Sequence, residues 1–477
     1  MTSPPDFAEV ASRFVTRTEA VLRTHPCAGG AVAYSRAPAV VDVMGGIGED
    51  SGALVLTATA ALSFHAAAWR TSGKQLHMRF ISQATGDAGR DHAMPMSILC
   101  PKETTAQQII ARCREAGAEA ITPSLLVLRE ALANDFMPSQ EAGLCLVVEN
   151  DFPEDADLGR HMTQAAAVID VITKLFAIKS DRLIQSRICA EAIHRLTGLY
   201  QRRKAMTSLC GPAEGVLLQL RFDSHPLCET LDLPEGVIVK ALATRLARPT
   251  TRQRLIETRT CSEMGHRLIM RLQEEDGQSQ HPSAARLASI TPGEYVARYR
   301  DRMPSKITHD AFVNRFGRLR GLEDGHVNPK GIYKIRSRAE HHIYENRRVH
   351  DFVTSINRAR RADRAQSLQI AGELMYASHW SHSQRCGIGG VETDRLVNAI
   401  RGHGPAAGLF GAKVTAGGEG GELVLLMLND EQAHAALEQV ASQARTETRQ
   451  PVRVYDGALP GAESFQAPGM VDPAGAV

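Results

Sequence analysis

The amino-acid sequence predicts an α+β fold. Helical and strand patterns are mixed along the chain, without the strict alternation expected of a parallel α/β sheet. Residues 251–275 carry apolar side chains at helical spacing, and GLCLVVEND at 143–151 is a short apolar run typical of a buried strand. A length of 477 residues is too great for one ordinary core and indicates two or three domains.

The first half of the chain is predicted to begin with an amphipathic helix and a loop within residues 1–30. Strand patterns follow at 31–46, 53–62, 76–83, 143–151 and 214–222. Helical patterns occupy 104–120, 123–135, 165–178 and 181–200. The loop DADLGRHMTQAAA at 155–167 connects a strand to a helix, so it would present backbone N–H groups and a helix dipole to an anion.

The second half is predicted to continue with a strand at 236–246 and the helix at 251–275. Residues 275–335 are polar and interrupted by Pro and Gly, which indicates an inserted connection. One long helix is predicted over 345–383 and another over 394–404, followed by a strand, a glycine-rich turn and a strand within 410–428. The tail from about 457 is rich in Pro, Gly and Ala and is predicted to be loosely held.

Composition narrows the range of partners and compartments. The net charge is +2 and the isoelectric point about 8.1, which calls for neither nucleic acid nor an anionic membrane as partner. Basic residues cluster at 201–205 and at 358–364, and the second cluster is interpreted as a solvated helix face. The nine cysteines contain no CxxC pair, and no signal peptide is evident at the start, so we expect a cytoplasmic protein.

Six stretches, in order, resemble L-arabinokinases and, more distantly, galactokinases of the GHMP superfamily of small-molecule kinases. They are DVMGGIGEDSGALVL (42–56), LCLVVENDFPEDADLGRHMTQAAAVIDVI (144–172), AMTSLCGPAEGVLL (205–218), RSRAEHHIYENRRV (336–349), AGELMYASHWSHSQRCGIGGVETDRLV (371–397) and GLFGAKVTAGGEGGELVLL (408–426). The resemblance implies two α+β domains with a ligand cleft between them. We therefore expect an N-terminal extension, two domains with an insert in the second, and a tail, at 1–30, 31–225, 226–456 (insert 275–335) and 457–477.

The chain departs from this family at positions that carry its chemistry. The arginine before the first motif corresponds to Val40, and the catalytic aspartate corresponds to Lys204. The serines of the phosphate loop correspond to Gly159, Arg160 and His161. Two further departures fall in the third motif, which here is AGGEGG at 416–421 with Glu419 in the turn, and at a strand end that here is ALA at 241–243. Loss of a general base alone typically costs about 10²–10⁴ in rate, so these departures argue against ATP phosphoryl transfer by the family mechanism.

The replacements suggest a different ligand. If the fold is kept, five basic side chains would converge on one wall of the cleft: Arg160, His161, Arg202, Arg203 and Lys204. Such a wall predicts an anionic ligand that brings its own phosphate or carboxylate, with Arg160, His161 and Lys204 as catalytic candidates and Arg202 and Arg203 as binding residues. The alternative is that 202–204 form a solvated turn and that Arg160 covers a vacant loop.

Other candidates carry weaker signals. Glu49 and Asp50 lie where the resemblance implies sugar-binding acids, and they are predicted to bind a polyol; alternatively they start a turn. In the third motif Gly417, Gly418, Gly420 and Gly421 would let the backbone approach the ligand. His379, His382 and Cys386 have a spacing compatible with a metal, but they are interpreted as core or interface residues, as are His341 and His342, and no metal site is predicted.

Three functions follow, in order of preference. The first is a repurposed enzyme that acts on an anionic sugar-type substrate, a sugar phosphate or a nucleotide sugar, without ATP. The second is a non-catalytic pseudokinase that binds a sugar or a phosphorylated metabolite. The third is an arabinose- or galactose-type 1-kinase with a remodelled site, and only this one would require Mg·ATP as cofactor.

Overall fold

The computed structural model describes residues 7–28, 31–83, 87–138, 142–153, 156–244, 251–277, 286–319, 327–415, 421–455 and 457–466. The helices are α1 Phe7–Thr24, α2 Ala106–Glu115, α3 Thr122–Ala133, α4 Arg160–Leu175, α5 Arg182–Thr197, α6 Arg202–Cys210, α7 Thr251–Glu275, α8 Pro292–Glu294, α9 His309–Phe316, α10 Ile335–Ala359, α11 Arg364–Ser381, α12 Val391–His403 and α13 Glu431–Thr448. The strands are β1 Ala33–Met44, β2 Val55–Thr71, β3 Gln75–Ser82, β4 Asp87–Pro95, β5 Gly143–Asn150, β6 Val216–Arg221, β7 Leu227–Asp232, β8 Val237–Thr244, β9 Ile307–Thr308, β10 Ile332–Tyr333, β11 Leu409–Val414, β12 Glu422–Leu428 and β13 Val452–Tyr455. This mixture confirms the α+β class predicted from the sequence.

The first sheet has seven strands in the order β4-β3-β5-β2-β6-β7, with β1 also paired to β2. Its pairs are antiparallel except β3 with β5. The 17-residue β2 organises the sheet, because one half pairs with β5 and the other with β6. Nearly all of β2 is buried, since helices α4 and α6 pack on it, and this explains its continuous run of small and apolar residues.

The second sheet has four antiparallel strands in the order β11-β12-β8-β13. Helices α11 and α12 pack against β11, and α13 packs beside β13. The main apolar cluster runs without interruption from the first sheet to the second, and it includes Leu56 of β2, Val168 of α4 and Val424 of β12. Strand β1 contacts β12 directly. The two sheets therefore share a core, and the end of β1 lies at their junction.

The structure corrects several expectations about individual elements. The single long helix predicted over 345–383 is two antiparallel helices, α10 and α11, which separate at an exposed turn where Asp363 has a φ of +50°. The basic run 358–364 therefore spans this turn instead of one helix face. The insert is also more than a connection, because Tyr295, Phe312 and Tyr333 pack in one cluster with α7 and α10.

The described part of the tail, 457–466, is held against the first sheet and its helices. The Gly461 amide donates to the carbonyl oxygen of Gly211 at 2.8 Å, and Phe465 is largely buried. The prediction from composition that the tail is loosely held is therefore wrong for these residues. Small residues of the tail pack closely where α6 ends.

In the ranges that the structure describes, no helix combines the length and the apolar character that a membrane crossing needs.

Candidate functional site

The candidate site lies where the end of β1 meets the starts of α4, α6 and β12. The Asp42 amide donates to Oγ1 of Thr415 at 2.8 Å, which ties β1 to the end of β11. In the loop before α4, the Asp157 amide donates to Oε1 of Glu422 at 3.1 Å, which ties that loop to β12. The candidate site is therefore formed by residues that belong to, or directly adjoin, both sheets.

A buried ion network is centred on Arg203, the second residue of α6. Its Nε and Nη2 donate to the two carboxylate oxygens of Asp42 at 2.7 and 2.8 Å. Its Nη1 donates to Oε2 of Glu49 at 2.8 Å, and its backbone amide donates to Oε1 of Glu49 at 3.2 Å. The side chains of Arg203 and Asp42 are 2% and 0% exposed. One guanidinium thus holds two carboxylates, with bidentate geometry toward Asp42.

The two carboxylates of this network differ in their titration. Burial raises the pKa of Asp42, but the charge and hydrogen bonds of Arg203 bring it below its ordinary value. At Glu49 burial outweighs the same arginine, and the pKa rises to about 7. The pKa values of the two carboxyl groups therefore shift in opposite directions, although the same arginine pairs with both.

Lys204, the next residue of α6, is fully buried against the loop before α4. A Cβ atom on Gly159 would lie 3.3 Å from Cδ of Lys204 and 3.7 Å from its Nζ. Burial lowers the pKa of Lys204, and the charges of Asp42, Asp157 and Glu422 oppose that shift. Lys204 thus fills the space beside the loop, and three carboxylates compensate its charge.

The first turn of α4 is capped by a carboxylate of the chain itself. The amide of Arg160 donates to the carbonyl oxygen of Asp157 at 2.6 Å and to its Oδ1 at 3.3 Å. The pKa of nearby Glu422 is raised to about 7 by burial and then by the charge of Asp157. Helix N-termini favour anions, and at α4 the Asp157 side chain provides one.

The five basic side chains predicted to share one wall do not all meet. Arg203 and Lys204 lie together in the buried network, but Arg202 points toward α5. Its Nη2 donates to the carbonyl oxygen of Leu183 at 2.7 Å, and its Nε donates to Oγ of Ser186 at 3.1 Å. Because successive helical side chains are about 100° apart, Arg202 cannot face the same way as Arg203.

Arg160 and His161 lie at the start of α4. The Arg160 Nη2 donates to the carbonyl oxygen of Phe152 at 3.1 Å, and the guanidinium lies 5.8 Å from the centre of the Phe152 ring. Arg160 thus covers the end of β5. His161 is exposed. The predicted single wall is therefore divided into a buried pair and separate outer groups.

Asp50 follows Glu49 in sequence but lines a different space. A cavity of about 150 Å³ is lined by Asp50, Ser51, Ser262, Glu263, His266, Arg286 and Leu287. The Asp50 carboxylate is 18% exposed and lies 3.6 Å from Nε of Arg259. Burial raises the pKa of Asp50, and Arg259 opposes the shift. We call this the Asp50 cavity; its carboxyl, hydroxyl and imidazole groups suit a small hydroxylated molecule.

Sequence reasoning missed several charged residues of the junction. Asp42, Lys413 and Glu422 each lie within a strand whose neighbours are almost all apolar, and each is buried. Lys413 donates from Nζ to the carbonyl oxygen of Val414 at 3.0 Å. Burial lowers the pKa of Lys413, and the charge of Glu345 opposes it. A charge inside an apolar strand is the signal that would have identified these residues, since such charges are rarely buried without a partner.

Glu345 of α10 forms a second buried carboxylate centre. It accepts from the Gly45 amide at 3.3 Å, from Nε of Arg348 at 2.7 Å, and from the Ser378 hydroxyl. Burial alone would raise its pKa, but Arg348, His382 and Lys413 together lower the pKa by more than burial raises it, to about 2. The helix α10 is thereby fastened to the glycine turn that follows β1.

The remaining predicted residues are placed as follows. Gly417, Gly418 and Gly420 lie outside the described residues, whereas the carbonyl oxygen of Gly421 accepts from Oγ1 of Thr244 at 2.6 Å. The interpreted core residues are all buried in or near the packing of α10 against α11: His341, His342, His379, His382 and Cys386. Across the described ranges, no group of three His, Cys, Asp or Glu side chains is arranged to share a metal ion.

The chain is similar in sequence to two sugar kinases. No family model matches the chain. It is 23% identical to the L-arabinokinase of Arabidopsis thaliana over 93% of its own length and 48% of that protein. It is 30% identical to the galactokinase of Lactococcus lactis subsp. cremoris over 30% of its own length and 34% of that protein. The chain thus spans half or less of the length of the curated relatives it matches.

Solved structures give the fold. A Lactococcus lactis galactokinase complexed with galactose superposes with a TM-score of 0.68 and 16% identity, covering 94% of this chain and 98% of that one. The mevalonate kinase of Methanococcus jannaschii superposes with a TM-score of 0.54 and 11% identity, covering 90% of this chain and 99% of that one. These likenesses show that the chain has the fold of the GHMP small-molecule kinases.

Proposed function

We propose that this protein binds a small sugar-type ligand on a GHMP fold and does not transfer phosphate from ATP. The observation that carries the proposal is the buried network of Arg203 with Asp42 and Glu49, together with Lys204 against Gly159. The resemblance aligns Lys204 with the catalytic aspartate and Gly159 with a phosphate-loop serine. Lys204 therefore cannot act as the carboxylate base that the aspartate at this position would provide for an attacking hydroxyl.

The loop before α4 supports the same conclusion. Asp157 accepts from the first amide of α4, so a carboxylate of the chain stands where the resemblance would place an ATP phosphate. The carboxylates of Asp157 and Glu422 near Lys204 would repel a triphosphate. The side chains of Gly159, Arg160 and His161 offer no oxygen ligand for Mg²⁺, which prefers oxygen donors. The positions that the resemblance aligns with the phosphate-loop serines therefore provide no ligand for the metal of Mg·ATP.

The Asp50 cavity supports a sugar as the ligand. Its volume of about 150 Å³ is smaller than the roughly 300–1,000 Å³ of sites for drug-sized ligands. It therefore suits one small polar molecule, and its carboxyl, hydroxyl and imidazole groups can exchange hydrogen bonds with hydroxyl groups. The Lactococcus lactis galactokinase that shares this fold was solved with galactose.

Calorimetric titration of the purified protein with a panel of monosaccharides and sugar acids tests this proposal. We expect at least one to bind without ATP, and Asp50→Asn to weaken that binding by about tenfold or more, as expected for loss of a charged hydrogen-bond acceptor. The matched control is Asp232→Asn, an exposed carboxylate that pairs with Arg360. Binding that Asp50→Asn leaves unchanged, or sugar-dependent release of ADP from Mg·ATP, would overturn the proposal.

A second candidate is a repurposed enzyme that acts on an anionic sugar-type substrate. Glu49 and Glu422 favour it, because each has a pKa of about 7 and lies near Arg203 or Lys204. Such a carboxyl can accept or give a proton at neutral pH. Incubation with sugar phosphates and nucleotide sugars, followed by product analysis, distinguishes the two functions. Turnover that Lys204→Ala and Glu422→Gln abolish would favour the enzyme, whereas binding without turnover favours the binding protein.

A further inference from the structure

A second cavity, of about 240 Å³, lies at the start of α10. It is lined by Arg254, Lys334, Arg338, Gln384, Arg385, Gly387 and Gly389. Four of these residues are cationic, and none of the described lining residues is a carboxylate. Arg254 belongs to the first turn of α7 and Arg385 to the segment after α11, so three separate elements bring cations to one space. We call it the basic cavity.

The carboxylates around the basic cavity do not balance its cations. Glu257 lies 2.8 Å from Nη1 of Arg254 and 3.6 Å from Nη2 of Arg338, so two arginines share it. Glu340 pairs with Arg385 and is shared with Arg300 from outside the lining. Lys334 makes no ion pair with any residue that the structure describes. Like charges held this close repel one another unless an anion lies between them.

Arg338 is the most deeply buried cation of the basic cavity. The residue is 4% exposed, and its Nη2 lies 3.4 Å from the carbonyl oxygen of Cys386. Its Nε is buried and has no hydrogen-bond partner among the described atoms. A buried guanidinium N–H without an acceptor is unfavourable, and native structures usually provide one. An anion bound in the basic cavity, which Arg338 lines, would offset the guanidinium charge that Glu257 only partly balances.

The backbone around the basic cavity also suits an anion. The 25-residue α10 begins here, and its N-cap Lys334 supplies no capping side chain. The first amides of the helix and its dipole therefore favour negative charge at this end. Gly387 and Gly389 have φ values of +69° and +102°, and a Cβ on Gly387 would lie 3.7 Å from Cδ of Arg254. The left-handed backbone therefore favours glycine at both positions, whereas the distance to Arg254 is an ordinary van der Waals contact.

We propose that the basic cavity binds a phosphate group, either as free inorganic phosphate or as part of a small phosphorylated metabolite. Arg254, Lys334, Arg338 and Arg385 would hold the phosphate oxygens, helped by the amides at the start of α10. The cavity is too small for a nucleic-acid segment and concave enough for a small molecule. The site does not depend on the Asp50 cavity or on the proposed sugar ligand.

The test is calorimetric titration with inorganic phosphate, and separately with a panel of sugar phosphates, at constant ionic strength. The variant is Arg254→Gln with Lys334→Gln, because both side chains are exposed and their loss leaves the core intact. The control is Arg358→Gln with Arg361→Gln, which makes the same charge change at the exposed turn between α10 and α11. Asp50→Asn is included to separate this site from the sugar site.

We expect phosphate to bind the native protein, the control and Asp50→Asn equally, and the Arg254/Lys334 variant at least about tenfold more weakly, as expected for lost charged hydrogen bonds. Tighter binding of a sugar phosphate than of inorganic phosphate, lost in the same variant, would identify a metabolite as the source. Equal affinities would identify the free ion. Absence of binding to the native protein, or equal weakening in the control, would overturn the proposal.

Discussion

The Arg203 guanidinium donates to both carboxylate oxygens of Asp42, at 2.7 and 2.8 Å, across 161 residues of sequence. Both side chains are almost fully buried. The pair connects the end of β1 to the start of α6, and Glu49 extends it to the turn after β1. A buried pair with this geometry fixes the arrangement of the junction between the two sheets, because either group alone would be an uncompensated charge.

Asp42→Asn is therefore expected to lower the free energy of unfolding by about 3–5 kcal/mol, the usual effect of removing one partner of a buried ion pair. Urea denaturation monitored by circular dichroism measures this. The matched control is Asp232→Asn, whose pair with Arg360 is exposed and should contribute only about 0–1 kcal/mol. Equal effects of the two substitutions would show that the Asp42–Arg203 pair does not stabilise the fold.

Gly159→Ala is expected to be more destabilising than the left-handed backbone alone explains. Gly215 has a similar φ of +83° with nothing within 4 Å of a Cβ, so Gly215→Ala should cost only the backbone term of roughly 1–2 kcal/mol. At Gly159 an added Cβ would also lie 3.3 Å from Cδ of Lys204, which is a tight contact.

A double-mutant cycle isolates that contact. In the background of Lys204→Ala, the cost of Gly159→Ala should fall to that of Gly215→Ala, as measured by urea denaturation. Additive effects of the two substitutions would mean that Lys204 does not pack against the loop.

Acid should destabilise the protein through Glu345. Its pKa is about 2 in the folded protein, against an ordinary value of 4.5. Because the folded-state pKa is depressed, the stabilisation is fully present above about pH 4.5 and is lost as the pH falls toward 2, by about 3 kcal/mol. Glu345→Gln should lower the free energy of unfolding at pH 7. It should also make that free energy depend less on pH between about 4.5 and 2. The control is Glu373→Gln, which removes a carboxylate from an exposed ion pair and should leave the pH dependence of the native protein unchanged. If Glu345→Gln also kept the native pH dependence, Glu345 would not be the group responsible for it.

Much of the architecture was predictable from the sequence. The apolar runs of β1, β2, β5 and β12 and the helical spacing of α4, α5 and α7 gave the class and most of the elements. The turn between α10 and α11 was not predictable, because RRAD at 360–363 contains no Pro or Gly and is locally compatible with a helix. The break arises from packing of the two helices side by side, a tertiary effect that overrides local propensity.

The site was predictable only in part. The resemblance located Arg203, Lys204 and Glu49 in the cleft region, but it could not show that Arg203 would use Asp42 and Glu49 as partners. Residues 161 positions apart meet only through the fold. Treating 202–204 as one basic group failed for Arg202, because charge clusters in sequence are divided by the helical rotation once a helix forms.

Restoring one residue should not restore a kinase. In Lys204→Asp we expect no sugar-dependent release of ADP from Mg·ATP, because the four other departures from the family persist. The new carboxylate would also join Asp42, Asp157 and Glu422, so the variant should unfold at a lower urea concentration than the native protein. Lys204→Met serves as the neutral control. Robust phosphorylation by Lys204→Asp would show that the remaining positions do not limit phosphoryl transfer.

We propose that the loop before α4 does not hold ATP for phosphoryl transfer. The most direct test is the shift in Tm of the native protein with Mg·ATP, alone and with each monosaccharide, with ADP release followed in the same samples. A ligand at about a hundred times its Kd adds roughly 2.7 kcal/mol of stability, which such a measurement detects readily. We expect a sugar to raise the Tm, Mg·ATP to cause no rise through this loop, and no ADP to be released. A rise in Tm with Mg·ATP that persists in Arg254→Gln/Lys334→Gln, accompanied by sugar-dependent ADP release, would show that the loop does hold ATP for transfer.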